Sequence, residues 1–149
     1  MPIVSQMGIL DEPANRRGPS MLYAILCYNS EKLVSAWTQQ EDDAVMTQLD
    51  LVHQKLSRQG RFGPTARLMD THTAKTLRKA QGGRPAAVTD GPFVETKEQL
   101  LGFYVVESAS IEEALDAARA LAEANPGAGG YEVRPLRAFL PGDLPTKPS

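Results

Sequence analysis

The segment at residues 88–107, VTDGPFVETKEQLLGFYVVE, sets several charges beside apolar residues. Asp90 opens an Asp-Gly-Pro turn, Phe93 follows it, and Glu95, Lys97 and Glu98 come next, ahead of an apolar run at residues 102–106. A carboxylate against an apolar wall is harder to ionise, so its pKa rises toward the range where it can give or take a proton. Asp90 and Glu95 are therefore the leading candidates for acid–base chemistry that needs no cofactor. His72 stands two residues after Asp70. An imidazole with a carboxylate is a familiar acid–base pair, which makes His72 a candidate catalytic partner. Phe93 and Tyr28 offer apolar and phenolic surface to shape a pocket, and Lys97 and Glu98 offer charge, so these four are candidate ligand-binding residues. The bland account of the segment is a corner. Asp can bond its own backbone, Gly tolerates unusual dihedrals and Pro fixes φ, which explains Asp90, Gly91 and Pro92. A solvated, charge-balanced turn would explain the rest.

Other residues carry weaker signals. His53 lies one position from the apolar stripe of a helical segment and reads as a flank residue. Tyr23, Tyr28 and Tyr104 sit in strand-like runs and could project phenols into a cavity, although core packing is the simpler role. Trp37 precedes a helix start, as a staple or a cavity lid. Arg134 and Arg137 fit an anion site or a solvated edge. Cys27, the single cysteine, lies in an apolar run, where a buried and inert thiol is the default. One cysteine and two histidines give no zinc-ligand spacing, so no metal is expected. A phosphate-binding Gly-rich loop and a Gly-x-Ser-x-Gly elbow are both missing from the text. A formal net charge of -2, with alternating local charges, argues against nucleic acid. No window approaches the roughly 18 apolar residues of a membrane span, and no secretory leader is recognisable at the N-terminus. The cytoplasm is the expected location.

These residues need elements to position them. Residues 1–20 are polar, with Pro and Gly and no periodicity, and are expected to be a flexible extension. Residues 141–149 form a Pro-rich tail, which leaves a folded core at 21–140. MLYAILCY, residues 21–28, reads as a buried strand, with a loop after it. Thr38 and Glu41 form a Thr-x-x-Glu capping box, and Val45, Leu49, Val52 and Leu56 follow at helical spacing up to Gly60. Residues 65–70 and 73–80 are strand candidates. Gly82-Gly83 turns the chain back into AAVTD, a further short strand. Thr96 and Gln99 are spaced as another helix-start box, which predicts a helical turn at TKEQ. GFYVVE, residues 102–107, is rich in β-formers and reads as a central strand. Ser110 and Glu113 start a second helix with Ile111, Leu115, Ala118 and Ala122 on one face, and Asn125-Pro126-Gly127 ends it. Residues 131–139 form a last strand, which Pro135 places at an edge or ends.

The order strand, helix, strand, hairpin, strand, helix, strand is an α+β, ferredoxin-like βαββαβ arrangement. It has an antiparallel sheet with two helices on one face. The central strands are apolar on both sides, so the open face needs a cover, and a second copy of the chain is the simplest one.

MLYAILCY, VTDGPFVETKEQLLGFYVVE, SIEEALDAARALAE and YEVRPL together resemble the DGPF-containing members of the YCII-related family. The resemblance covers essentially the whole core and rests most on Asp90-Gly91-Pro92-Phe93 with Glu95-Thr96-Lys97-Glu98 after it. It implies a ferredoxin-like chain that dimerises into an α+β barrel, similar in architecture to small monooxygenases and muconolactone isomerases. Some relatives have a His–Asp pair proposed as catalytic, and Asp70 with His72 is the comparable local pair here. The resemblance also implies a setting beside extracytoplasmic-function sigma factors. Three functions follow as expectations. The chain is a cofactor-independent enzyme acting on a small organic molecule in the barrel cavity, or a non-catalytic ligand-binding or regulatory partner of a sigma factor, or a structural dimer.

Overall fold

The computed structural model describes residues 20–145 of the 149. Except for Ser20, the extension expected at residues 1–20 lies outside the described residues, as do residues 146–149 of the tail. Strand β1 is Met21–Asn29, followed by helices α1, Glu31–Ser35, and α2, Gln39–Arg58. Then come β2, Phe62–Arg67, a 3₁₀ turn at Thr71–Thr73, and the strands β3, Lys75–Arg78, and β4, Ala87–Asp90. Strand β5, Gln99–Ser108, helix α3, Ile111–Ala124, and strand β6, Gly130–Pro135, complete the order.

The main sheet has the strand order β2-β5-β1-β6, with every neighbour antiparallel. This mixed α+β architecture, with three α-helices among the described residues, is compatible with a ferredoxin-like fold. The sheet is open, with β2 and β6 at its edges. β3 and β4 form a separate two-stranded sheet and leave the body of the domain as an arm.

Alternation along the central strands sends Tyr23, Ile25, Tyr104 and Val106 to one face. There they join Val45, Leu49 and Leu56 of α2 and Ala114, Ala117, Ala118 and Leu121 of α3 in one core. The alanines of α3 allow that helix to lie close to the sheet. Leu22, Ala24, Leu26, Phe103 and Val105 alternate with the core residues and face the other side.

Capping fixes where the helices begin. Thr38 donates its N–H to Glu41 Oε1 at 2.8 Å and accepts from Glu41 N–H at 3.1 Å, a complete capping box. At α3, Ser110 Oγ accepts from Glu113 N–H at 3.2 Å. Glu113 reaches one residue further back, to the N–H of Ala109 at 2.7 Å. The edge position of β6 suits Pro135, whose missing amide would break an interior ladder.

Three local expectations need correction. The segment after β1 is not simply a loop: Ser30 caps the short helix α1, accepting from Leu33 N–H at 3.3 Å. Strand β2 begins at Phe62, earlier than Thr65, with a register irregularity between Phe62 and Thr65 that disguises its alternation. TKEQ is not helical. Thr96 Oγ1 donates to the Glu98 carbonyl, and Gln99 Nε2 donates to the Thr96 carbonyl at 2.7 Å, so the segment bends directly into β5.

Candidate functional site

A cavity of about 170 Å³ lies between the helix-facing side of the sheet and the helices α1 and α2. Its existence follows from small residues in one layer. On β5, Gly102 is a glycine because a Cβ there would meet the Ala66 carbonyl oxygen of β2 at 2.5 Å. Its β1 neighbour is Cys27, another small residue. The register also slips between Cys27, paired with Gly102, and Tyr28, paired with Leu100. Leu101 is the extra residue of this bulge, and it lines the cavity. Bulges commonly re-aim a side chain in this way. Val34 and Trp37 close one side, and Val45, Met46, Leu49 and His53 of α2 close another.

The polar groups of this cavity converge from different elements. His53 Nε2 of α2 is 2.7 Å from the Tyr104 hydroxyl of β5. The imidazole also stacks on Phe62 at 5.0 Å between centroids with a 25° interplanar angle, which fixes its plane. Burial lowers the pKa of His53, and the Asp50 carboxylate partly opposes that shift. Burial raises the pKa of Tyr104 well above the usual phenol range, helped by Cys27 and Tyr131 and opposed by the Arg67 charge. Burial pushes the Cys27 thiol up to about 12. All three groups are therefore neutral near pH 7. A neutral imidazole bonded to a neutral phenol can receive a proton at one end and donate at the other. Asn125 Nδ2 donates to the Tyr131 hydroxyl at 3.0 Å, and Asn125 also reaches the cavity. Among the described residues no group of three His, Cys, Asp or Glu is placed to hold a metal ion. None of the helices in that range is long and apolar enough to cross a membrane.

The residues singled out by sequence lie elsewhere in the single chain. Asp90 ends β4 with its side chain 84% exposed and is paired with Lys75 Nζ at 2.5 Å. Gly91 behind it has φ +96, a conformation that glycine adopts without strain, and donates its N–H to the Ala74 carbonyl at 2.8 Å. Glu95, Lys97 and Glu98 are exposed. Phe93 is exposed too, under the Arg78 guanidinium at 5.0 Å. His72 is 80% exposed, with Nδ1 3.9 Å from Asp70 Oδ2, too far for a hydrogen bond. Asp70 instead accepts from Ser35 Oγ at 3.3 Å. Tyr28 and Glu98 both line a shallow depression shared with Gly130 and Glu132. None of these seven candidates lines the cavity.

Sequence reasoning passed over His53, Tyr104 and Arg67 as a set. A signal for the first two was present. His53 is four residues after Leu49 and three before Leu56, so it belongs to the wide face of α2 that meets the sheet. Tyr104 is in phase with Val106 on β5, the strand most certain to be central.

The YCII-related domain model matches residues 21–140. A protein of Rhizobium meliloti (strain 1021), described only as uncharacterized, is 55% identical over 126 residues, 85% of this chain and 100% of that protein. With its whole folded span matched, from the strand that carries Cys27 to the end of the last strand, the chain belongs to the YCII-related family.

Proposed function

We propose that this chain binds a small organic molecule in the cavity beside α2 and moves protons on it through His53 and Tyr104, with no cofactor. The observation that carries this reading is the 2.7 Å contact between His53 Nε2 and the Tyr104 hydroxyl at an apolar cavity wall. In one direction, an acidic proton of the ligand passes to the Tyr104 oxygen while the phenolic proton passes to His53 Nε2. The imidazolium so formed is favoured by Asp50, and the ligand anion keeps a hydrogen bond from Tyr104. Return of the proton to a different ligand atom completes a tautomerisation and restores the protein. A thermal-shift metabolite screen of wild type, His53→Gln and Glu95→Gln tests this. Hits retained by Glu95→Gln and lost by His53→Gln are expected. The reverse pattern moves the site to the turn, with Asp90, Glu95 and His72 as its acid–base set. No hit with any of the three proteins favours a docking role, for which the sigma factor implied by the family resemblance is the partner to try.

We also infer membership of the DGPF-containing subgroup and a homodimer whose sheets enclose an α+β barrel. The subgroup is supported by Asp90-Gly91-Pro92-Phe93, which serves as the corner after β4. The dimer is supported by apolar surface on the β3–β4 arm, where Leu77 and Val88 stand opposite each other and are exposed.

A further inference from the structure

Resting on the cavity reading above, we infer that the ligand is a single-ring organic monoanion, with its carboxylate at Arg67 and a hydroxyl or enolisable carbonyl at His53 and Tyr104. Arg67 is the one Lys or Arg among the residues lining the cavity. Its Nη2 donates to Asp42 Oδ1 at 2.9 Å, while its Nη1 has only the Met46 thioether sulfur at 3.4 Å among the described residues. A thioether is a weak acceptor, so the guanidinium keeps strong donors for a carboxylate. At 54% exposure its side chain sits at the mouth, where an anion can arrive without being stripped of all its water.

The register sets where the two anchors are rooted. On β2, Thr65 is opposite Tyr104, and Arg67 is opposite Gly102. Arg67 and Tyr104 are thus diagonal neighbours on one face, with backbones about 7–8 Å apart. A single ring with polar substituents at opposite ends suits two side chains rooted one diagonal apart on the same cavity wall. Apart from Thr65 and Asn125, the rest of the lining is mostly apolar, with Val34, Leu49, Leu101 and the Trp37 indole among it. A second charge on the ligand would lie against these walls without a partner, which disfavours dianions. A short aliphatic acid would leave the walls unfilled.

Trp37 is the single tryptophan of the chain and lines the cavity, so its fluorescence reports occupancy directly. The probes are 4-hydroxybenzoate and its neutral isostere 4-hydroxybenzamide. Wild type is expected to bind the benzoate more tightly by about tenfold, equivalent to about 1.4 kcal/mol. Arg67→Gln is expected to erase that preference and Arg67→Lys to keep part of it, with unchanged circular dichroism in both. Equal binding of the two probes by wild type, or a preference surviving in Arg67→Gln, overturns the Arg67 assignment while the cavity itself stands. No response of Trp37 to either probe overturns the ligand class, and the metabolite screen then decides the cavity reading separately.

Discussion

At the scale of single residues, His53 and Tyr104 behave as one unit, and their environment gives a pH signature. Burial holds the His53 pKa below its ordinary value of about 6.5. The unfolded chain therefore binds this proton more readily than the folded one. Stability is unaffected by His53 above about pH 6.5 and falls as the pH drops from there through the folded pKa. Denaturant unfolding across this range is expected to show a loss on acidification that is smaller in His53→Gln; an unchanged profile would mean that His53 titrates as it does in water. Tyr104→Phe leaves Nε2 without its phenol and is expected to lower stability by about 1 kcal/mol, read from the same curves. The sequence made the carboxylates at residues 90–98 conspicuous because they are clustered, and clustering is visible in one dimension. It kept His53 and Tyr104 apart by 51 positions, and only the packing of α2 on β5 brings them to 2.7 Å. The Asp-Gly-Pro turn, by contrast, was legible: Gly91 occupies the left-handed conformation that the Asp-Gly-Pro text suggests.

At the scale of elements, the cavity depends on a short helix that sequence did not distinguish from a loop. Five residues are too few for a periodic signal, and Ser30 alone is a weak cap. What holds α1 is tertiary. Glu31 Oε2 accepts from Thr71 N–H at 2.6 Å, and its Oε1 accepts from Thr71 Oγ1 at 2.7 Å. The Glu31 N–H donates to Gln99 Oε1 at 2.9 Å. This clasp ties the helix carrying Val34 to the 3₁₀ turn at the foot of the β3–β4 arm. Glu31→Ala is expected to cost about 1–3 kcal/mol by leaving the Thr71 groups unpaired. It should also make Trp37 more accessible to acrylamide quenching; unchanged quenching would show that the clasp does not hold that wall. The opposite end of α2 has a second tie. Buried Arg61 donates to the Glu107 carbonyl at 2.9 Å, to Gln59 Oε1 at 2.9 Å and to Ser108 Oγ at 3.0 Å. Arg61→Ala removes a buried cation from these partners and is expected to cost about 3 kcal/mol. A midpoint shift in urea well under that would mean that water replaces the guanidinium. Charged text after a helix gives no hint of such burial, because Arg61 becomes interior only when β5 and α3 close over it.

At the scale of the molecule, strand and helix order was the most legible level. Long periodic segments, the N-caps at Thr38 and Ser110 and the Gly-Gly turn each act locally, and they agree with one another. Less legible was that β3 and β4 would pair only with each other. Their weak alternation gives them no core to join, and they stand off the sheet as an arm. An isolated two-stranded hairpin is marginal in water. Here it also presents Leu77 at 67% and Val88 at 65% exposure, directly opposite each other. The homodimer proposed above would use this patch together with the apolar side of the sheet at Leu22, Leu26 and Phe103. Stable interfaces bury about 800 Å² per partner, which favours an interface that includes the sheet face as well as the arm. Leu77→Lys and Val88→Lys together put two like charges where the paired arm would be dry. The double variant is expected to sediment as a monomer at micromolar concentration while wild type sediments as a dimer. Its Trp37 response to 4-hydroxybenzoate should be preserved, because neither substituted residue lines the cavity. A monomeric wild type would remove the dimer and leave the arm to another protein. A dimeric double variant would place the interface on the sheet face alone.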